Sequence, residues 1–416
     1  MLLLLAVLLC LRPSPAIAQS APTVTDSGVD ARFPDHLVFR ANAQSAATIA
    51  KVRLRYAILP DGTAATGEAQ FQPGNSVSAS FALQSSDQTT LYLPPGTTIK
   101  YHWEVTDDAG ASARTEEATY FHNDDRFQWT PIEQGGLTVY YYSGSEDQAG
   151  KMLSVGAEAI DAAEKLLRTQ VSYPVKVWIY DNVDDMRPAL PRTSPTFEQQ
   201  IVLLGVRISS DTVLVLGDAS FDTLRHELTH VVTHAAGESA LGSLPAWLDE
   251  GTAVFSQQDK GGFQNAIERG IRDGEALSVR SITAAPGDPA KVELFYGEAW
   301  SLVSYLNDKY GAEKFGQLFA EIKKGKRIDA ALQAVYGFDQ DGLEDEWRAA
   351  HQLPPRVTPT PPAKEEASPE ANGGGPGSSK SDGGTSTGTL VGVALGTLAL
   401  AAAIGFAGMM LARRFR

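Results

Sequence analysis

Hydrophobic residues change their period along this chain, and the change divides it into regions of different structure. From Ala21 to about Asp125, short stretches such as Lys51-Val52-Arg53-Leu54-Arg55-Tyr56 and Lys100-Tyr101-His102-Trp103-Glu104-Val105 alternate polar and apolar positions. Pro-Gly, Asp-Gly and Ala-Gly turns separate them, a spacing that predicts an antiparallel β-sandwich over residues 21–125. The pattern shifts from about Phe127. Leu137–Tyr142 and Val175–Tyr180 read as strands bracketing a helix over Glu146–Arg168, and Asp211–Gly217 reads as a further strand rich in β-branched residues.

Helical spacing dominates from there on. Leu224, Leu228, Val231 and Val232 form an apolar stripe whose helix Asp218, Ser220 or Asp222 can cap and Gly237 can end. Pro245 suits the first turn of a second helix carrying Trp247, Leu248 and Phe255. A third starts at Asp288 and Pro289, buries Val292, Phe295, Ala299, Leu302 and Leu306, and stops at Gly311. Helices at 312–324, 328–335 and 340–351 complete an α+β region over residues 127–352.

The two ends of the sequence add a cellular setting. Leu2–Leu11 is an apolar run too short to span a bilayer, and Ala16-Ile17-Ala18 offers a small-residue cleavage site, so residues 1–18 read as a secretory signal. The lone cysteine, Cys10, falls inside that segment, so the mature chain is expected to have no disulfide. Residues 353–388 are rich in Pro, Gly and Ser and read as a disordered linker. Residues 389–412 then hold an uncharged stretch, Leu390–Ala412, long enough for a transmembrane helix, and 413–416 a basic tail with Arg413, Arg414 and Arg416. The positive-inside rule puts that tail in the cytoplasm, making a single-pass protein of the cell membrane with its folded region outside. The net charge of −15 argues against nucleic acid as a partner.

Chemistry concentrates in His226-Glu227-Leu228-Thr229-His230. On a helix, residues four apart share a face, so both imidazoles can reach one zinc ion, and the carboxylate beside them can take a proton from a water that zinc has acidified. A catalytic zinc site normally has a third protein ligand. Glu250, in Leu244-Pro245-Ala246-Trp247-Leu248-Asp249-Glu250-Gly251, is the candidate, with Asp249 as its competitor. His234 extends the same helix face, but three successive turns cannot wrap a tetrahedral ion.

HELTH followed by WLDEG resembles the gluzincin metallopeptidases, thermolysin-like in the first helix and aminopeptidase-N-like in the second. The resemblance implies an α+β zincin-like catalytic domain behind an all-β immunoglobulin/fibronectin-III-like sandwich, the whole followed by a single C-terminal transmembrane helix. It also implies one Zn2+ per chain bound by His226, His230 and Glu250, with Glu227 as general base. Tyr296 stands where aminopeptidase-N-like enzymes place the tyrosine that donates to the oxyanion; Tyr305, Tyr310 and His351 are its substitutes. The Gly-x-Met-Glu-Asn segment with which those relatives hold a free amine is missing, which favours cleavage within a peptide or protein substrate. The Asp211–Gly217 strand then corresponds to the sheet edge along which gluzincins lay an extended peptide; ordinary sheet core is its other reading, and the two are compatible.

Two function classes follow. One is a membrane-tethered zinc endopeptidase; the other is a non-enzymatic surface module with a structural or decayed zinc site. An intact Glu227 favours the enzyme, because a structural site closed by four ligands has no use for that carboxylate.

Overall fold

The computed structural model describes residues 20–60, 62–84, 91–191, 204–239 and 241–356. The signal at 1–18, the stretch 389–412, the tail and all but the first residues of the linker lie outside them. Among the described residues no helix is long and apolar enough to cross a membrane. The chain forms two compact units, the first from residues up to 157, 172–198 and 207–219, the second from 158–171, 199–206 and the residues from 220 onward.

Alternation in the first unit produces strands β1 (Thr23–Arg32), β2 (His36–Leu59), β3 (Thr63–Glu68), β4 (Gly74–Gln84), β5 (Thr97–Asp107), β6 (Ser112–Arg114) and β7 (Ala118–His122). In β5 the apolar positions Ile99, Tyr101, Trp103 and Val105 are buried while their neighbours are not, as period two requires. The topology departs from the expected immunoglobulin-like plan, in which two sheets are separate. Here seven strands form one hydrogen-bonded sheet, because the long β2 pairs with β1 and β4 through its first half and with β3 and β5 through its second. Register shifts between Gln44 and Lys51 bend β2. Its halves then face one another, with the Phe39 and Tyr101 rings 4.8 Å apart.

A second sheet has five strands, β8 (Thr130–Gln134), β9 (Leu137–Tyr141), β10 (Val175–Tyr180), β11 (Gly205–Arg207) and β12 (Thr212–Leu216), in the order β11-β12-β10-β9-β8. β9, β10 and β12 are parallel and β8 is antiparallel. Every residue of β10 and β12 is buried. The reading of Asp211–Gly217 as a peptide-binding edge is therefore corrected: β12 is interior, and its continuous apolar run is the signature of a strand covered on both faces.

Buried contacts link this sheet to the β-sandwich. Lys176 Nζ donates to Asp211 Oδ2 at 2.5 Å and to the Gly96 carbonyl at 2.7 Å, all buried. Gly96 has φ +85°, and a Cβ there would meet Trp178 Nε1 at 3.0 Å. Phe121 of β7 stacks on Tyr140 and Trp178, which themselves stack with centroids 4.2 Å apart.

Helix α1 (Glu146–Leu167) follows β9, and a short α2 (Val183–Met186) follows β10. The second unit is mainly helical: α3 (Phe221–Gly237), α4 (Ala246–Ser256), α5 (Gly262–Asp273), α6 (Val292–Tyr310), α7 (Ala312–Lys323), α8 (Ile328–Val335) and α9 (Gln340–Ala350). Asp288 caps a 3-10 turn at Pro289–Lys291 that leads into α6, and Gly311 at φ +83° ends that helix, as the sequence predicts. The core gathers Trp247, Leu248, Phe295, Leu302, Phe315, Phe319 and Trp347. α5 was not foreseen, although Phe263, Ala266, Ile267 and Gly270 bury one face at helical spacing.

Candidate metal centre

The site lies within the second unit and begins with the cap of α3. Of the three candidates Ser220 does the capping, its Oγ accepting the Thr223 N–H at 3.1 Å. Asp222 has a different task. It accepts from Arg225 at 2.9 Å and from the backbone N–H groups of Gln258 and Asp259 at 2.8 and 2.9 Å, tying the start of α3 to the chain leaving α4. Between these anchors His226, Glu227 and His230 are all buried, and the two imidazole centroids are 4.8 Å apart.

Helix α4 brings Glu250 to the same point. The Nε2 atoms of His226 and His230 are 3.2 Å apart, and Glu250 Oε2 lies 3.3 Å from the first and 3.5 Å from the second. A tetrahedral zinc with bonds of about 2.0–2.1 Å holds neighbouring ligand atoms about 3.3–3.4 Å apart, so the three atoms outline one face of that tetrahedron. Glu250 Oε2 is buried and accepts no hydrogen bond. A buried carboxylate oxygen left so is costly unless a cation satisfies it, and the donor set of two imidazoles and one carboxylate suits zinc. This is the one such group of His, Cys, Asp and Glu among the described residues.

The outer face of each ring is occupied. Asp249 Oδ1 lies 3.0 Å from His230 Nδ1 and also accepts from Thr233 Oγ1 at 2.5 Å, so Asp249 braces a histidine from outside while Glu250 is the acid that converges with the two imidazoles. The Gln257 carboxamide lies 3.4 Å from His226 Nδ1. Burial works against charge on His230, but Asp249 and Glu250 beside it lift its pKa well above the usual imidazole value. Burial would raise Glu250; His230 and His226 hold it below the usual carboxylate range. Close packing fixes this arrangement, because a Cβ on Gly251 would come within 2.3 Å of the Ala299 carbonyl of α6.

Tyr296 of α6 belongs to the same cluster. It is buried, stacks on Phe263 with centroids 4.9 Å apart, and its ring lies 6.2 Å from that of His226. Its hydroxyl is pushed well above the usual phenol range, first by burial and then by Glu250, Glu227 and Asp249 beside it. The substitutes are elsewhere: Tyr305 and Tyr310 donate to Glu346 at 3.0 and 2.6 Å, and His351 packs on Trp347. His234 pairs with Glu238 at 2.6 Å and takes no part in the ligand set. Thr233 and Gln257 were missed. Thr233 follows His230 by three residues, a helical neighbour legible in principle, whereas Gln257 reaches His226 only because of how α4 packs.

Residues 156–352 match the family model described as Peptidase MA superfamily. No curated protein matches the sequence. Among solved structures, the M1 zinc metallopeptidase from Deinococcus radiodurans is 12% identical, with 82% of this chain and 97% of that chain covered at a TM-score of 0.36. OgpA from Akkermansia muciniphila is also 12% identical, over 25% of this chain at a TM-score of 0.20, and the match spans only 28% of its length. Overlaps this loose carry no argument about activity. The segment that holds His226, Glu227, His230, Glu250 and Tyr296 thus matches the Peptidase MA superfamily, in keeping with the gluzincin-like character of HELTH and WLDEG.

Proposed function

We propose that this protein is a zinc-dependent metallopeptidase that cleaves within polypeptides, held at the outer face of the cell membrane by its C-terminal apolar stretch. The observation that carries the reading is the convergence of His226 Nε2, His230 Nε2 and the otherwise unsatisfied Glu250 Oε2 within 3.5 Å of one another. One zinc ion held there supplies Lewis acidity, polarising a carbonyl and lowering the pKa of water. Glu227, buried beside His226, takes a proton from the attacking water and returns it to the leaving amine. Tyr296, whose raised pKa keeps the phenol protonated at neutral pH, donates to the carbonyl oxygen as it gains charge. Asp249 and Gln257 keep the ligand nitrogens aimed inward.

The missing Gly-x-Met-Glu-Asn segment supports internal cleavage over removal of a first residue, and the arginines after the apolar stretch support the outward orientation. The test is bound zinc and cleavage of a broad peptide library by the natural chain and by Glu227→Gln. The reading predicts one zinc in each and cleavage by the first alone. Equal cleavage by both removes Glu227 from the reaction, and no zinc in either removes the site.

A further inference from the structure

Helix α4 begins without a side-chain cap, since its N-cap is Pro245. Two of its first N–H groups are satisfied from outside: Ala246 donates to the Thr283 carbonyl at 2.9 Å and Trp247 to the Ile282 carbonyl at 3.1 Å. Asp249 and Glu250 sit in the next turn, so whatever fixes residues 282 and 283 fixes where those two carboxylates point. The segment leading there has no regular structure and is anchored by two buried acids. Glu298 of α6 accepts the Leu277 N–H at 2.7 Å, and Glu344 of α9 accepts the Ser278 hydroxyl and the Val279 N–H, both at 3.0 Å. Glu298 and Glu344 are 0% and 1% exposed, and the hydrogen bonds they accept come from residues 277–279 and Arg348.

We propose that Glu298 and Glu344 are positioning residues for the metal ligand: from two helices they hold residues 277–283 in the shape that caps α4, and through that helix they aim Glu250 and Asp249. The inference rests on the zinc reading above. The surrounding charges fit a role as anchors. Glu344 is neutralised by Arg348 at 2.8 Å, and Arg280, within the segment, turns outward to Asp329, Asp339 and Asp341. Glu298 has no cation in contact; burial pushes its pKa up to about 8, with Glu344 adding to the rise and the Leu277 N–H and Arg348 opposing it. The folded chain therefore keeps a proton on Glu298 that the unfolded chain loses near pH 4.5. The contribution of Glu298 to stability falls as pH rises between those two values and is level above about 8.

The experiment uses the full chain loaded with cobalt(II), reading the visible absorption band of the ion and its dissociation constant by chelator competition. Glu298→Leu, which leaves the Leu277 N–H unpaired, is expected to weaken cobalt about tenfold and shift the band. Glu298→Gln keeps an acceptor for that N–H; it should restore both and flatten the loss of stability with rising pH. If Glu298→Leu does not fold, Ser278→Ala and Glu344→Ala take its place, with a weaker loss and a shifted band expected of both. A lower melting temperature with unchanged band and affinity overturns the positioning role. Absence of cobalt binding by the natural chain overturns the metal reading instead.

Discussion

Two buried polar clusters in this protein look alike by composition and differ in closure. In the first unit Lys176 and Asp211 form an ion pair, with Gly96 taking a further Lys176 proton and Ser209 and Thr212 donating to Asp211. In the second, His226, His230 and Glu250 turn their polar atoms toward one another and leave Glu250 Oε2 without a hydrogen bond. A closed cluster spends its charges on itself and holds strands and turns together. An open one, with its outer atoms braced by Asp249 and Gln257 and its inner atoms converging, is built around something the polypeptide does not supply.

Several substitutions sharpen that contrast. The largest effect is expected of Glu250→Ala, which deletes a ligand: zinc retention measured by atomic absorption should fall by more than the roughly 10–100-fold that loss of an outer partner costs. Glu227→Gln should leave zinc in place and lower kcat about 10²–10⁴-fold in steady-state peptide hydrolysis. Lys176→Met should act on the fold instead. Breaking a buried pair by removing one partner costs about 3–5 kcal/mol, so denaturant unfolding should show a strong loss of stability while zinc affinity stays level. A Lys176→Met chain that lost zinc but not stability would erase the distinction between the clusters. The mildest is Asp249→Asn, for which zinc affinity should drop about 10–100-fold by chelator competition, with Glu250 still bound.

The two clusters also differ in how far the sequence revealed them. His226, Glu227 and His230 lie within five residues on one helix, so 3.6 residues per turn places them before any tertiary packing is known. Glu250 needed a second helix, and the choice between it and Asp249 turned on the side of α4 that meets α3. Tyr296 reaches the site through the packing of α6 against α4, where Gly251 allows the Ala299 backbone to approach. The Lys176–Asp211 pair was invisible, because both residues read as ordinary polar positions at strand ends and Gly96, which completes the cluster, is distant in sequence. The contacts of Phe121 with Tyr140 and Trp178 were illegible for the same reason: alternation predicts strands but not which side chains of different sheets meet. Burial on both faces showed β12 to be interior, although its unbroken Val-Leu-Val run already carried that signal.

The most direct test is anomalous scattering at the zinc edge from crystals of the zinc-loaded chain. A single peak should appear about 2.0–2.2 Å from His226 Nε2, His230 Nε2 and a carboxylate oxygen of Glu250, with Asp249 on His230 Nδ1 and away from the metal. A peak bound by Asp249 in place of Glu250, or no peak between the two histidines, would contradict the account.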